Sequence, residues 1–544
     1  MVIVMLYYNR KFISKTLFLL FISFISLSAQ TYVPRASDDA GTYITSTWTN
    51  GSNLGSGFNA WVFTNTGTAG QFIGAAYASS IDVSSKSFGV YGNPAGANIG
   101  KAKRTFSALK ENEKLTFKMS TRFRNGNKGV DILNGSTVLF NINIGGDQYS
   151  YENKISGGVI NMSLSYDDNK AFTVTMIKKA GNVLNVQIDG SPGTGTGLTA
   201  TDFTLSSGTI DGIEFYVAGT EAPGDNNNLY FNSLEISQPK FISAADGDWN
   251  TAATWGSSIP SANSIIEINH AVTVNSAVAS NTLSVTINSG KSMTFGADGS
   301  LSVQGNWTNN GTLDMSAGGT VSFGGSSILT VAGTNAFKNV NLACGVNFGS
   351  SSTVNGTLAI NAGGFVQTNA PTYGSSSTLQ YNNDYELASE WYANVASGQG
   401  VPQNVVVNGG NVYFATIANV YRQLNGNMTI NSGKSFSLST TSGGDLKIKG
   451  NLINKGTLHT NVRSIYFLGG GAQEISGTGT SNFSYLNVTD NSAVTVNTNI
   501  SVANNINVNS GSSFNCGSSI ITFSSGATIT GATPLNTGTG TLVC

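Results

Sequence analysis

The sequence predicts an all-β protein: an N-terminal two-sheet jelly-roll sandwich followed by a right-handed parallel β-helix, or solenoid, with an internal duplication. Three observations predict it. Short runs alternate apolar and polar residues with period two, as half-buried strands do, and no helical periodicity accompanies them. Glycine is abundant, 66 of 544 residues, with only 9 prolines and no strict G-X-Y period, so turns are plentiful and collagen is excluded. A block of the second half recurs, in the same internal order, about 145 residues later.

Composition narrows the function classes. Lys and Arg number 27 against 28 Asp and Glu, and charged residues are 10% of the chain. A soluble domain usually carries ~25%. With no basic excess to hold a polyphosphate, nucleic acid is excluded as a partner. The 40% hydrophobic content supplies a large core. Charge also divides the chain: residues 31–240 carry most of it, whereas from 271 onward there are eight acids and eight bases. Such depletion suits a regular stack of strands with Asn, Ser, Thr and Gly at its turns.

At the N-terminus, Arg10, Lys11 and Lys15 precede an apolar run from Leu17 to Leu27 that ends in Ser28-Ala29-Gln30. This is the pattern of a Sec signal peptide over 1–30, cleaved after Ala29 or Gln30. The run is short of the ~20 residues a transmembrane helix needs. No other stretch approaches that length, so the mature chain is expected to be extracellular or on the cell surface without a transmembrane segment. Cys344, Cys516 and Cys544 form neither a disulfide framework nor a zinc motif, and the first two read as small buried apolar residues.

The region 31–240 reads as antiparallel. Leu115–Ser120 and Phe172–Ile177 alternate cleanly, and the latter continues through Ala180-Gly181-Asn182 into Val183–Ile188, a hairpin signal. Gly212–Val217 and Leu229–Ile236 supply closing strands. The run Phe172–Gly190, Asp211–Val217 and Asn227–Ile236 resembles the final strands of concanavalin-like or laminin-G-like sandwiches. Upstream, Phe88–Tyr91, Arg104–Phe106 and Leu115–Phe117 are similar to a module of secreted bacterial polysaccharide-active proteins. That resemblance implies glycan binding.

In the second region, Thr286–Ser292 recurs as Thr429–Ser435, and Gly305–Leu313 returns as Gly450–Leu458. Phe337–Leu342 matches Phe483–Val488, and Val354–Phe365 matches Val502–Phe514. Within each copy a short strand, an Asn-Ser-Gly-like turn and another strand repeat. One such unit cannot bury its apolar face alone, but stacked neighbours form a continuous core. A parallel β-helix satisfies this best; an array of separate sandwiches is the alternative. The expected organisation is a cap segment at 241–280, repeat 1 at 281–420 and an incomplete repeat 2 at 421–544. Asp246–Trp255, Ile259-Pro260, Ile268–His270 and Val272–Val274 are similar to the opening of eight-glycine-type β-strand domains in Bacteroidetes surface proteins. Leu379–Asn382 through Glu390-Trp391, then Gly400–Val405, resembles repeats of the same proteins. Trp249 and Trp255 are expected to cap the stack.

Candidate sites follow from side-chain chemistry. Aromatic rings offer apolar faces to sugar C–H groups, which selects Trp48, Trp61, Tyr149 and Tyr151, the last two beside the turn Gly145-Gly146-Asp147. Taken singly, each of these rings reads first as core. The loop containing Glu221, Asp225 and Asn227 offers oxygen ligands for a possible Ca²⁺, though without EF-hand spacing. On the solenoid the densest acidic group is Asp384, Glu386 and Glu390, with Arg422. Neither His270 nor His459 sits beside a nucleophile motif, so no catalytic residue is assigned. The expected function is an adhesin-like protein binding an extracellular polysaccharide or glycoconjugate through a sandwich displayed on a solenoid stalk. The alternative is a polysaccharide lyase or glycosidase working at Asp384–Glu390.

Overall fold

In a computed structural model the described residues are 30–93, 97–192, 197–219, 224–415, 420–441, 443–532 and 535–544. The expected export signal, apart from Gln30, and the candidate ligand Glu221 lie outside them. Every regular element among the described residues is a strand or a short 3₁₀ turn, so the all-β expectation holds.

The first unit is a two-sheet sandwich. One sheet is built around the long strand Leu229–Ile242, which pairs antiparallel with Lys114–Ser120 on one side. On its other side lie first Ser87–Gly92 and then Thr31–Asp38. Beyond Lys114–Ser120 come Ala171–Lys178, Val183–Ser191 and Leu198–Thr204, the first two forming the hairpin predicted from the Ala180-Gly181-Asn182 turn. The second sheet runs, in spatial order, Ile160–Asn161, Ser150–Asn153, Thr137–Asn143, Asn127–Asn134, Gly212–Ala218, Ile99–Thr105 and Val62–Thr66. Alternation explains the layers. In Gly212–Ala218 the buried residues Ile213, Phe215 and Val217 face the other sheet, while Glu214 and Tyr216 face out. Phe215 stacks on Phe231 across the layers with centroids 3.7 Å apart.

The second unit is a β-solenoid of about 14 turns. Its strands pair in parallel, each with its counterpart one coil on: Val321 with Val340, then Val340 with Leu358, then Leu358 with Leu379. Successive short strands point alternate residues inward, and these merge into one apolar core running from Phe241 to Phe523. Trp249 and Trp255 join that core at its start as an edge-to-face pair, 4.9 Å between centroids, and the Trp255 indole N–H donates to the Trp249 carbonyl. Cys344 and Cys516 are buried free thiols, as the sequence suggested.

The duplication is visible atom by atom. Gly290 and Gly433 turn with φ of 71° and 72°. The Lys291 N–H donates to Asn288 and the Lys434 N–H to Asn431, at 3.0 and 3.1 Å. Both copies then place a glycine, Gly311 or Gly456, where a Cβ would lie within 2.3 Å of a neighbouring lysine carbonyl.

The two units share a sheet. Leu229–Ile242 leaves the sandwich still extended, and Lys240, Phe241 and Ile242 pair in parallel with Ile265, Ile266 and Glu267 of the first coil. Lys240 and Glu267 form an ion pair at 2.6 Å across this seam, and Asn112 and Asn263 donate across it to the carbonyls of Ala262 and Glu111.

Candidate functional site

The outward face of the second sandwich sheet collects polar side chains in register. One row across the strands reads Val62, Lys103, Glu214, Asp131, Asn141 and Glu152. The next reads Thr64, Lys101, Tyr216, Gly129, Asn143 and Ser150, with Asn161 beyond. Strand alternation puts these residues outside because their neighbours Ile213, Val130, Ile132 and Ile142 go inside.

Neighbours hold these groups in place. Lys101 pairs with Glu214 at 2.6 Å, and Lys154 pairs with Glu152. Asn141 Nδ2 donates to Asp131 Oδ1 at 2.7 Å and to the Tyr216 hydroxyl at 2.9 Å. Partial burial raises the Asp131 carboxyl, and the Glu214 charge adds to the shift while Asn141 opposes it. The Tyr216 hydroxyl is pushed up to about 12, mainly by burial, so it stays protonated at neutral pH. At one end the face opens into a cleft of about 350 Å³ lined by Asn127, Asn143, Gln148, Ser150 and Asn161, with the Gly145–Asp147 turn as a wall. Asn143 Oδ1 fixes that wall by accepting from the Gly145 N–H at 2.8 Å.

The four sequence-selected aromatics lie inside. Trp48 and Trp61 pack edge-to-face on each other and against Phe88, and the Trp61 indole donates to Asp38. Tyr149 packs on Phe172, and Tyr151 stacks parallel to Phe140. All four are under 9% exposed, so none offers a ring face to a dissolved sugar. The turn singled out beside the two tyrosines does border a cleft, but the residues presented there are its glycines, Asp147, Gln148 and Ser150. In Ser150-Tyr151-Glu152 the period-two alternation was the signal: the register sets Ser150 and Glu152 against Asn143 and Asn141 on the outer face and Tyr151 against Ile142 on the inner one, although Ser150 is itself buried.

Of the possible Ca²⁺ ligands, Asp225 and Asn227 belong to the 3₁₀ turn Asp225–Asn227, and Asn227 is buried. Between them, Asn226 Oδ1 accepts from the Arg122 guanidinium at 2.8 Å. Among the described residues no cluster of three or more His, Cys, Asp or Glu side chains is placed to hold a metal ion.

The solenoid acids do not converge. Asp384 and Glu386 are exposed, and Asp384 Oδ1 accepts from the Asn411 N–H at 2.6 Å. Glu390 points into the core. It is fully buried and accepts from the hydroxyls of Tyr381 and Tyr385, both at 3.0 Å, and from the Ala388 N–H. Burial raises its carboxyl against the opposing pull of Arg422, whose guanidinium donates to the Leu387 and Ala388 carbonyls. A carboxylate so enclosed cannot meet a polymer in solvent.

No known family model matches the chain. No curated protein matches it. Solved structures similar to part of it include a galectin of Caenorhabditis elegans, LEC-6, at 13% identity, covering 27% of this chain and 94% of the galectin, with a TM-score of 0.18. An endo-β-1,4-glucuronan lyase of the fungus Trichoderma reesei is 7% identical over 32% of this chain and 89% of its own, with a TM-score of 0.21. A glycosyl hydrolase family 16 protein of Mycobacterium smegmatis is 11% identical over 38% of this chain and all of its own, with a TM-score of 0.24. The architecture stands on the strand pairing described above. No helix among the described residues is long and apolar enough to cross a membrane.

Proposed function

We propose that this chain is an exported, surface-displayed adhesin that binds a polysaccharide or glycoconjugate on the polar face of its sandwich. One observation carries the reading: two in-register rows of amides, carboxylates, lysines and a tyrosine cross this face, and the second of them runs through Asn143, Ser150 and Asn161 into the cleft beside Gly145–Asp147. Sugar hydroxyls are both donors and acceptors, and this face offers both, held by mutual hydrogen bonds so that little order is lost on binding. Export rests on the basic segment and apolar run before Ala29. The enzyme alternative at Asp384–Glu390 has no geometric support, because Glu390 is enclosed.

A glycan array probed with the intact protein tests this. Gln148 and Asn161 are exposed at the cleft, so Gln148→Ala with Asn161→Ala should weaken the best ligand about thirtyfold, from two lost hydrogen bonds of ~1 kcal/mol each. Absence of binding to any glycan defeats the proposal. Binding that a chelator removes and this variant leaves unchanged moves the site to the Asp225–Asn227 turn.

A further inference from the structure

The solenoid carries a second concavity, far along the chain from the sandwich. It is an open groove of about 580 Å³ whose lining includes Tyr421, Asp445, Lys447, Tyr466, Thr489 and Asp490. Its residues come from successive coils. Tyr421 pairs with Asp445, Lys447 with Tyr466, and Tyr466 with Asn487, so the groove crosses the strands and runs along the stacking axis. Neighbouring strands are ~4.8 Å apart, and the five coils from Tyr421 to Asn509 therefore give a trough about 19 Å long.

Side-chain chemistry in the trough is specific. Lys447 Nζ lies 3.5 Å from the centroid of the Tyr421 ring and 6.0 Å from that of Tyr466, so one ammonium bridges two half-buried aromatic rings. No carboxylate among the described residues lies within ion-pair distance of Lys447. Asp445 accepts from the Ser464 N–H at 2.8 Å, and Asp490 is exposed at the turn that forms the far wall. Lys447 covers Tyr421, which leaves Tyr466 as the ring available for stacking.

We infer that this groove binds a linear, uncharged polysaccharide lying along the solenoid axis, with one pyranose ring on Tyr466 and its hydroxyls on Lys447, Asp445 and Asp490. Its length across five coils selects an extended polymer over a compact ligand. Apolar ring faces edged by charged hydrogen-bonding groups suit pyranose rings, which have C–H faces and a hydroxyl rim. Two carboxylates to one ammonium disfavour a polyanion. The stalk is thus itself a ligand-binding surface, separate from the sandwich face.

Affinity electrophoresis of the intact protein in native gels containing soluble neutral β-glucan, xyloglucan or galactomannan, with alginate as the polyanion, tests the inference. In a Gln148→Ala, Asn161→Ala background, at least one neutral polysaccharide should still retard the protein. Tyr466→Ala should weaken that retardation about tenfold, and Tyr466→Phe, which keeps the ring, should largely preserve it. The ring faces outward, so an unchanged circular dichroism spectrum and melting point should accompany the loss. Retardation indifferent to Tyr466→Ala, retardation by alginate alone, or its complete loss in the sandwich background overturns the groove; the last result leaves the sandwich reading standing. Retardation untouched by the sandwich substitutions and lost with Tyr466→Ala does the reverse.

Discussion

The sandwich and the solenoid are both all-β, yet they close their cores in opposite ways. In the sandwich the central strand Leu229–Ile242 pairs with Thr31–Asp38, Ser87–Gly92 and Lys114–Ser120, all distant in sequence. Its core also encloses an ion pair: Arg104 and Asp38 meet beneath Trp61, whose ring lies 4.8 Å from the guanidinium carbon. In the solenoid every coil leans on the next one along, and apart from enclosed groups such as Glu390 its polar side chains stack from coil to coil. Asn382 donates to Asn361, Asn408 to Asn382 and Asn431 to Asn408, a ladder on the outer surface. The contrast teaches that a single break should travel far in the first unit and stay near its origin in the second.

The largest effect is expected where the sandwich is most interlocked. Asp38→Ala leaves the Arg104 charge buried and unpaired, which costs about 3–5 kcal/mol. Denaturant unfolding followed by tryptophan fluorescence should show the sandwich lost as a unit. A shift below about 1 kcal/mol would mean that water reaches Arg104. In the solenoid, Gly456→Ala drives a Cβ to 2.2 Å from the Lys434 carbonyl oxygen and should cost about 1–3 kcal/mol. Gly311→Ala meets the Lys291 oxygen at 2.3 Å and should cost the same within about 0.5 kcal/mol. Unequal losses in calorimetry would break the equivalence of the two copies. Smallest is Asn408→Ala, which removes two solvent-exposed hydrogen bonds of the ladder, to Asn382 and from Asn431, and should cost about 1 kcal/mol, with hydrogen exchange quickening only in adjacent coils.

The fold was legible because period two is local. Leu115–Ser120 and Phe172–Ile177 sit within observed strands that extend one residue further at one or both ends. The second half announced itself because each coil must resemble its neighbour to stack, so Thr286–Ser292 and Thr429–Ser435 fold into the same turn. Sites were less legible, because they depend on which strands lie side by side. Asp445-Leu446-Lys447 and Ser464-Ile465-Tyr466 each show which residues point outward, but only the register sets Lys447 against Tyr466. Likewise nothing local to Tyr216 reveals that Asn141 reaches its hydroxyl. Aromatic content misled for a related reason: Trp48 and Trp61 are attractive to a sugar and equally so to Phe88 and Phe231.

The seam at Lys240–Ile242 has a geometric consequence. Since one unbroken strand belongs to both units, no linker lets them swivel, and the cleft beside Asn161 and the trough beneath Tyr466 keep a set distance and bearing. With saccharides bound at both proposed sites the molecule would act as a ruler: a short oligosaccharide would occupy one station at a time, whereas a chain long enough to reach both would gain avidity with no added contact, at a threshold fixed by the number of coils between them.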